Sequence, residues 1–183
     1  MDTVVYVIPT DSGGYAAWAT GLSALAAVAS VVVAFIALCF SKKQMAMHER
    51  HNRLMAKPHL SGWNHQDGET DTYSFTLENT GIGPAIIKSI VLTVDGKPAQ
   101  GEGSEMVEDA AERLFPNIAK HHRFEMFTVG EFIPPSKKFE IYYIKAQGFS
   151  AEQLVQNVQA RTKLVIHYES IYGEKHVYDS ELE

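Results

Sequence analysis

Charge is missing from the front of this chain. No Asp, Glu, Lys or Arg occurs between Ser12 and Ser41, and no Lys or Arg occurs before Lys42. A buried helix of a soluble domain would show a polar face at 3.6-residue spacing, and here small and aliphatic residues run all round. The missing basic residues also weigh against a secretory signal, whose apolar core follows a positive segment, because residues 1–15 hold only Asp2 and Asp11 as charges. A lipoprotein signal needs a small residue before its cysteine, and Leu38 precedes Cys39. With that single cysteine the chain has no disulfide framework, which fits a reducing compartment. Also absent are a nucleophile-elbow pattern and the Lys and Ser/Thr of a phosphate loop, so the residues argue for no enzyme and no cofactor.

What is present is a run of 26 uncharged residues, 15–40. In helical geometry it covers about 39 Å at roughly 1.5 Å per residue, enough to cross a bilayer. All 16 Lys and Arg follow it, and five of them (Lys42, Lys43, Arg50, Arg53, Lys57) lie close behind its end. The positive-inside bias then sets the N-terminus outside and the remainder in the cytoplasm. Residues 1–14, with Pro9, Gly13 and Gly14, read as an outer tail. Residues 41–57 contain no Gly or Pro and continue the helix as a basic juxtamembrane stalk, which Pro58 stops. Net charge is +4 over 41–57 and −8 over 58–183. The basic stalk is drawn to anionic lipid headgroups, whereas the acidic domain argues against bulk DNA or RNA as a partner.

Thirteen of the 22 residues from Ala16 to Ala37 are Ala, Gly, Ser or Thr, which lets neighbouring helices approach closely. Ala16, Thr20, Ser23, Ala27, Ser30, Ala34 and Ala37 step by alternating fours and threes, the spacing of a left-handed helix-helix seam. The same phase continues through Ser41, Gln44, His48 and His51. These polar groups would stand at the inner mouth of a homo-oligomeric bundle. His48 and His51 are three apart, not the four of a zinc-protease helix, so no metal site is expected there.

Beyond Pro58 the texture changes to short alternating runs. Strands are expected at 59–64, 73–77, 86–94, 123–129, 137–146, 161–170 and 175–179, with turns at Asp95-Gly96 and Tyr172-Gly173. Helices are expected at 104–115 and 150–159, the second opened by a Ser150 cap. The fold class is therefore a membrane α-helix plus mainly-β: one transmembrane helix with its stalk, then a small β-sandwich or β-barrel of residues 58–183. One or two helices would cover its open ends.

The segment Asn79-Thr80-Gly81-Ile82-Gly83-Pro84-Ala85, followed by an aliphatic strand and Val94-Asp95-Gly96-Lys97, resembles a motif of bacterial single-pass membrane proteins with a small cytoplasmic β-domain. On the residues alone, its glycines suit a strand-to-strand turn with positive φ. The plan is similar to that of membrane effectors in antiphage defence, some of which sense a cyclic nucleotide. That resemblance implies a bacterial inner-membrane sensor-effector that assembles through its helix. The alternative is an anchored adaptor that recruits a partner protein through a sheet edge. Candidate anion contacts are Lys120, Arg123, Lys137, Lys138, Arg161 and Lys163. Trp63, Tyr73, Tyr142, Tyr143, Tyr168 and Tyr172 offer stacking surfaces. His121 and His122 are adjacent on a strand, so they face opposite ways and cannot readily share a metal.

Overall fold

A computed structural model describes residues 12–182, and side chains from Trp18 onward. The chain divides into two compact units that part between His51 and Asn52. Helix α1 (Ser12–Met55) supplies the first unit and the opening turn of the second. It takes in Gly13 and Gly14, which the sequence reading places in a tail; the rest of that tail, residues 1–11, lies outside the described residues. Every side chain from Trp18 to Met55 is exposed, including Leu25, Val31 and Phe35, so the helix is not the core of a soluble fold in this chain. It is long and apolar enough to cross a membrane.

The second unit is mainly β, with two open sheets and two helices. The first sheet has the order β1 (Leu60–Asp67), β2 (Thr72–Asn79), β7 (Lys138–Ala146), β5 (Lys120–Arg123). The second runs β4 (Lys97–Pro98), β3 (Ala85–Val94), β8 (Thr162–Glu169), β9 (Lys175–Asp179), and β6 (Phe132–Ile133) pairs with β3. All described pairings are antiparallel. Period-2 alternation turns Leu77 and Phe139 of the first sheet, and Ile87, Leu164 and Ile166 of the second, into one shared core. Two open sheets sharing one core form a sandwich rather than a closed barrel.

Helices α2 (Ser104–Leu114) and α3 (Ala151–Arg161) pack together over the same end of the sandwich, so they do not close opposite ends. Val107, Leu114, Leu154 and Val158 meet Tyr73, Val94, Tyr142 and Ile144 in a second core cluster, where Phe115 stands edge-on to Phe149 at 5.4 Å. Arg161 locks this end. Its guanidinium donates to both carboxylate oxygens of Asp95 (2.9 and 2.7 Å) and to the Leu114 carbonyl (3.2 Å) that ends α2. Asp95 and Gly96 both take positive φ in the two-residue turn between β3 and β4.

One strand is placed differently from the sequence expectation. The segment 123–129 is not a strand; β5 ends at Arg123, and the chain then leaves the first sheet to reach β6 in the second. Phe127 is buried on the way, so its apolar pattern reflects a crossing through the core rather than a ladder.

Ser150 caps α3 as the sequence suggests. Its hydroxyl accepts from the Gln153 N–H at 3.3 Å, and Gln153 Oε1 accepts from the Ser150 N–H at 3.0 Å. Ser150→Ala should cost about 1 kcal/mol. In denaturant titration this would lower the unfolding midpoint and leave the slope unchanged.

Candidate functional site

The first candidate is the joint inside the second unit, where the last turn of α1, from Asn52 onward, meets the β-sheets. The helix closes with tight bonds from the Ala56 N–H to the Arg53 carbonyl (3.2 Å) and the Lys57 N–H to the Leu54 carbonyl (3.3 Å), then stops at the buried Pro58. The loop after β2 wraps this exit. Ile82 and Gly83 donate their N–H groups to the Lys57 carbonyl (3.1 and 3.2 Å), and Thr80 donates to the His59 carbonyl (2.8 Å).

Asn79 is fully buried at the centre of the joint. Its Oδ1 accepts from the His59 N–H (3.2 Å) and the Gly81 N–H (3.1 Å). Its Nδ2 donates to the carbonyls of Gly83 and Ile133, both at 2.9 Å. One side chain therefore binds the helix exit, its own loop and β6 of the other sheet. The glycines here have a different reason from the one expected. Neither Gly81 nor Gly83 has positive φ. A Cβ on Gly81 would overlap the backbone of His59, and one on Gly83 would overlap the Ala56 carbonyl. Close approach of two backbones, not turn conformation, demands them.

Around the joint, Arg53 lies over the Tyr172 ring at 5.8 Å and 3.7 Å from the Glu174 carboxylate. His176 stacks on Tyr168 at 5.4 Å, its Nε2 buried without a hydrogen-bond partner. Burial, then the charge of Lys57, hold the His176 pKa below the ordinary histidine value, against the opposing charge of Glu174.

The second candidate is a cavity of about 470 Å³ between the two core clusters, walled by the two sheets and by α2 and α3. A bulge builds one wall: Phe75 pairs with Tyr142 and Thr76 with Glu140, leaving Ile141 as the extra residue of β7. Ile141 and Tyr142 are both buried as a result, and both line the cavity. The Tyr73 hydroxyl donates to Asn64 Oδ1 at 2.7 Å, whereas the Tyr142 hydroxyl is buried with no partner. Burial pushes both phenol pKa values up, so both stay protonated at neutral pH.

The candidate anion contacts do not converge. Lys120 pairs with Glu112, Arg123 with Glu140, Lys137 with Glu125, Lys138 with Glu78, Arg161 with Asp95, and Lys163 with Asp179 and Glu181. They are spread over β5, the start of β7 and the α3–β8 junction, and none lines the cavity. Of the aromatic candidates, Tyr73 and Tyr142 reach the cavity, Tyr168 is core with its hydroxyl accepting from the Leu60 N–H (3.2 Å), and Trp63 and Tyr172 are exposed. Tyr143 carries Arg123 over its ring at 5.1 Å. Sequence reasoning missed Tyr178 and Asn79; a lone Tyr on a short last strand gives no signal, and Asn79 read only as the start of a turn. His121 is exposed, while His122 is half-buried and stacked on Phe124.

In the helix, Thr20, Ser23, Ala27, Ser30, Ala34 and Ala37 of the expected seam are exposed, as are Ser41, Gln44, His48 and His51. The Ala16 side chain lies outside the described ones. Ser23 and Ser30 turn their hydroxyls back to the carbonyls of Thr20 (2.8 Å) and Ala26 (2.7 Å), so neither needs a partner from a second helix.

A family model described as a domain of unknown function, DUF8453, matches residues 18–183. The chain belongs to this family. The matched span takes in α1 from Trp18 together with the whole β-domain, so the DUF8453 unit includes both joint and cavity. No curated protein matches the chain.

Asn79→Ala would take the partner from the His59 N–H and from the carbonyls of Gly83 and Ile133, while the Gly81 N–H keeps the His59 carbonyl, a loss of about 3 kcal/mol at roughly 1–3 kcal/mol for each buried group left unpaired. Chemical denaturation of the full chain in detergent should read it, and Gly83→Ala should match it through the clash with Ala56.

A second prediction at the joint concerns pH. Because the folded state disfavours the His176 imidazolium, the unfolded chain binds that proton more readily, and stability falls as pH drops through about 6.5. His176→Phe keeps the ring stack and removes the titration. The difference in midpoint between parent and variant should therefore change between pH 7.5 and 5.5, in favour of the variant on the acid side.

Proposed function

We propose that the chain is a single-pass sensor-effector of a bacterial inner membrane, with its β-domain in the cytoplasm. The domain reads a signal, and α1 responds by associating with α1 of other copies and perturbing the bilayer. The observation that carries this reading lies within the second unit: the end of α1 and residues 56–59 are hydrogen-bonded to the loop 80–83, and through Asn79 to β6 of the other sheet. A bare anchor needs no such coupling, and a Gly/Ser linker would serve it as well. The exposed apolar face of α1 and the basic residues clustered behind it support insertion and orientation. The paired cations do not favour a nucleotide as the signal.

The adaptor reading is kept by one observation. β1 is an eight-residue edge strand, and among the described residues no strand pairs with its outer side, where a partner could add a strand.

Seam variants test the effector. Ala27→Leu and Ala34→Leu place bulk where helices would approach, whereas Ala29→Leu should fit lipid. Overpacking of about 1–3 kcal/mol shifts association by roughly tenfold or more. Cross-linking in detergent should lose oligomer for the first two only, and the same two should lose dye entry or depolarisation in expressing cells. Equal yields for all three overturn the seam. Function that survives exchange of residues 15–40 for an unrelated single-pass helix overturns the effector in favour of the adaptor.

A further inference from the structure

The cavity in the β-domain has the chemistry of a binding site for an uncharged molecule. Its volume of about 470 Å³ lies within the roughly 300–1,000 Å³ typical of small-molecule sites. Small residues hold it open. Ala110 and Ala111 of α2 stand on its wall between the larger Val107 and Leu114, which line it too. Gly62 of β1 also lines it, and a Cβ there would overlap the Tyr178 hydroxyl and come within 2.8 Å of the Phe75 ring. Gly62 therefore lets two aromatic side chains lie against a strand backbone at the cavity edge.

The lining decides the charge of the occupant. Leu92, Met126, Ile141 and Val158 make the walls apolar, and no Lys or Arg is among the lining residues. The one carboxylate, Glu181, is neutralised by Lys163 at 2.6 Å. An anion would meet no cation here and a cation no free carboxylate, and burying either charge unpaired is prohibitive.

The polar groups decide its shape. Tyr142 is 8% exposed, carried into the core by the β7 bulge, and its hydroxyl lacks a partner. A buried O–H in that position favours a ligand acceptor. The Tyr73 hydroxyl has spent its proton on Asn64 and keeps lone pairs for a donor. Exposed Gln159 and Glu181 mark the side open to solvent.

We propose that this cavity binds an uncharged, largely apolar organic molecule, with a carbonyl or equivalent acceptor to take the Tyr142 hydroxyl and a donor such as an amide N–H to meet Tyr73. The inference rests on the sensor reading for its purpose, and it names the chemical class of the signal.

The test uses the full chain in nanodiscs with a matched pair of photoprobes, benzophenone-4-carboxamide and benzophenone-4-carboxylate. On irradiation the excited ketone abstracts hydrogen from a nearby C–H, the two carbon radicals join, and peptide mapping locates the bond. The carboxamide should label cavity residues, Met126 foremost, in a saturable way, and the carboxylate should not. Tyr142→Phe keeps the ring and removes the unpartnered hydroxyl, so its Tm should equal or exceed the parent's while half-saturation moves about fivefold to tenfold higher. Ala111→Leu should block labelling; if that variant does not fold, Tyr142→Phe decides. Labelling that maps outside the cavity, that Tyr142→Phe leaves unchanged, or that the carboxylate matches overturns the proposal. The readout is binding alone, so silence of the membrane in the dye assay would count against the sensor reading and leave this one standing.

Discussion

The carboxamide of Asn79 makes all four hydrogen bonds available to an amide side chain, and each goes to backbone. Around it lie three segments that share no ladder: the exit of α1, the loop 80–83 and β6. Backbone groups buried where segments meet must find partners, and no regular structure supplies them at such a junction. An aspartate in this place would bring only acceptors, and a glutamine would be one methylene too long for the space. The glycines at 81 and 83 complete the arrangement by giving up their side chains to the backbone of residues 56–59. Residue 59 just after α1, the loop 80–83 and β6 are thus held together inside the β-domain by one side chain.

Much of this was open to reading from residue order. The uncharged run marks α1, the Asp95-Gly96 pair marks the β3–β4 hairpin, and Ser150 followed by Gln153 marks the start of α3. These signals are local, and each needs only the residues within a few positions of it. The non-local features were hidden. Gly81 and Gly83 look like turn glycines because the backbone that presses on them is more than twenty residues earlier in sequence. The apolar beat of 123–129 looks like a strand because a chain crossing the core also alternates its burial. Tyr142 could be named as an aromatic but not placed, since a single extra residue in β7 reverses which of Tyr142 and Tyr143 faces inward.

Charge was legible in total and not in detail. An acidic domain with scattered Lys and Arg suggests positive spots free for an anion. In the fold every one of the six cations considered has a carboxylate within 4.0 Å, many of them across strands or between a helix and a strand. Arg161 shows the reason most clearly. It is spent on holding the β3–β4 turn and the end of α2, so its charge belongs to the architecture.

The pairing of β3 with β8 carries a consequence for how the protein is made. Ile87 lies opposite Tyr168, and Val94 opposite Thr162, so the central ladder of the second sheet joins segments far apart along the chain. During translation α1 and β3 are both made well before β8, and β3 must wait for some seventy further residues before its inner edge is covered. The helix can thus reach lipid while the domain behind it is still an open sheet. For that interval the nascent chain carries its apolar helix ahead of a β-domain whose second sheet still lacks its partner strands.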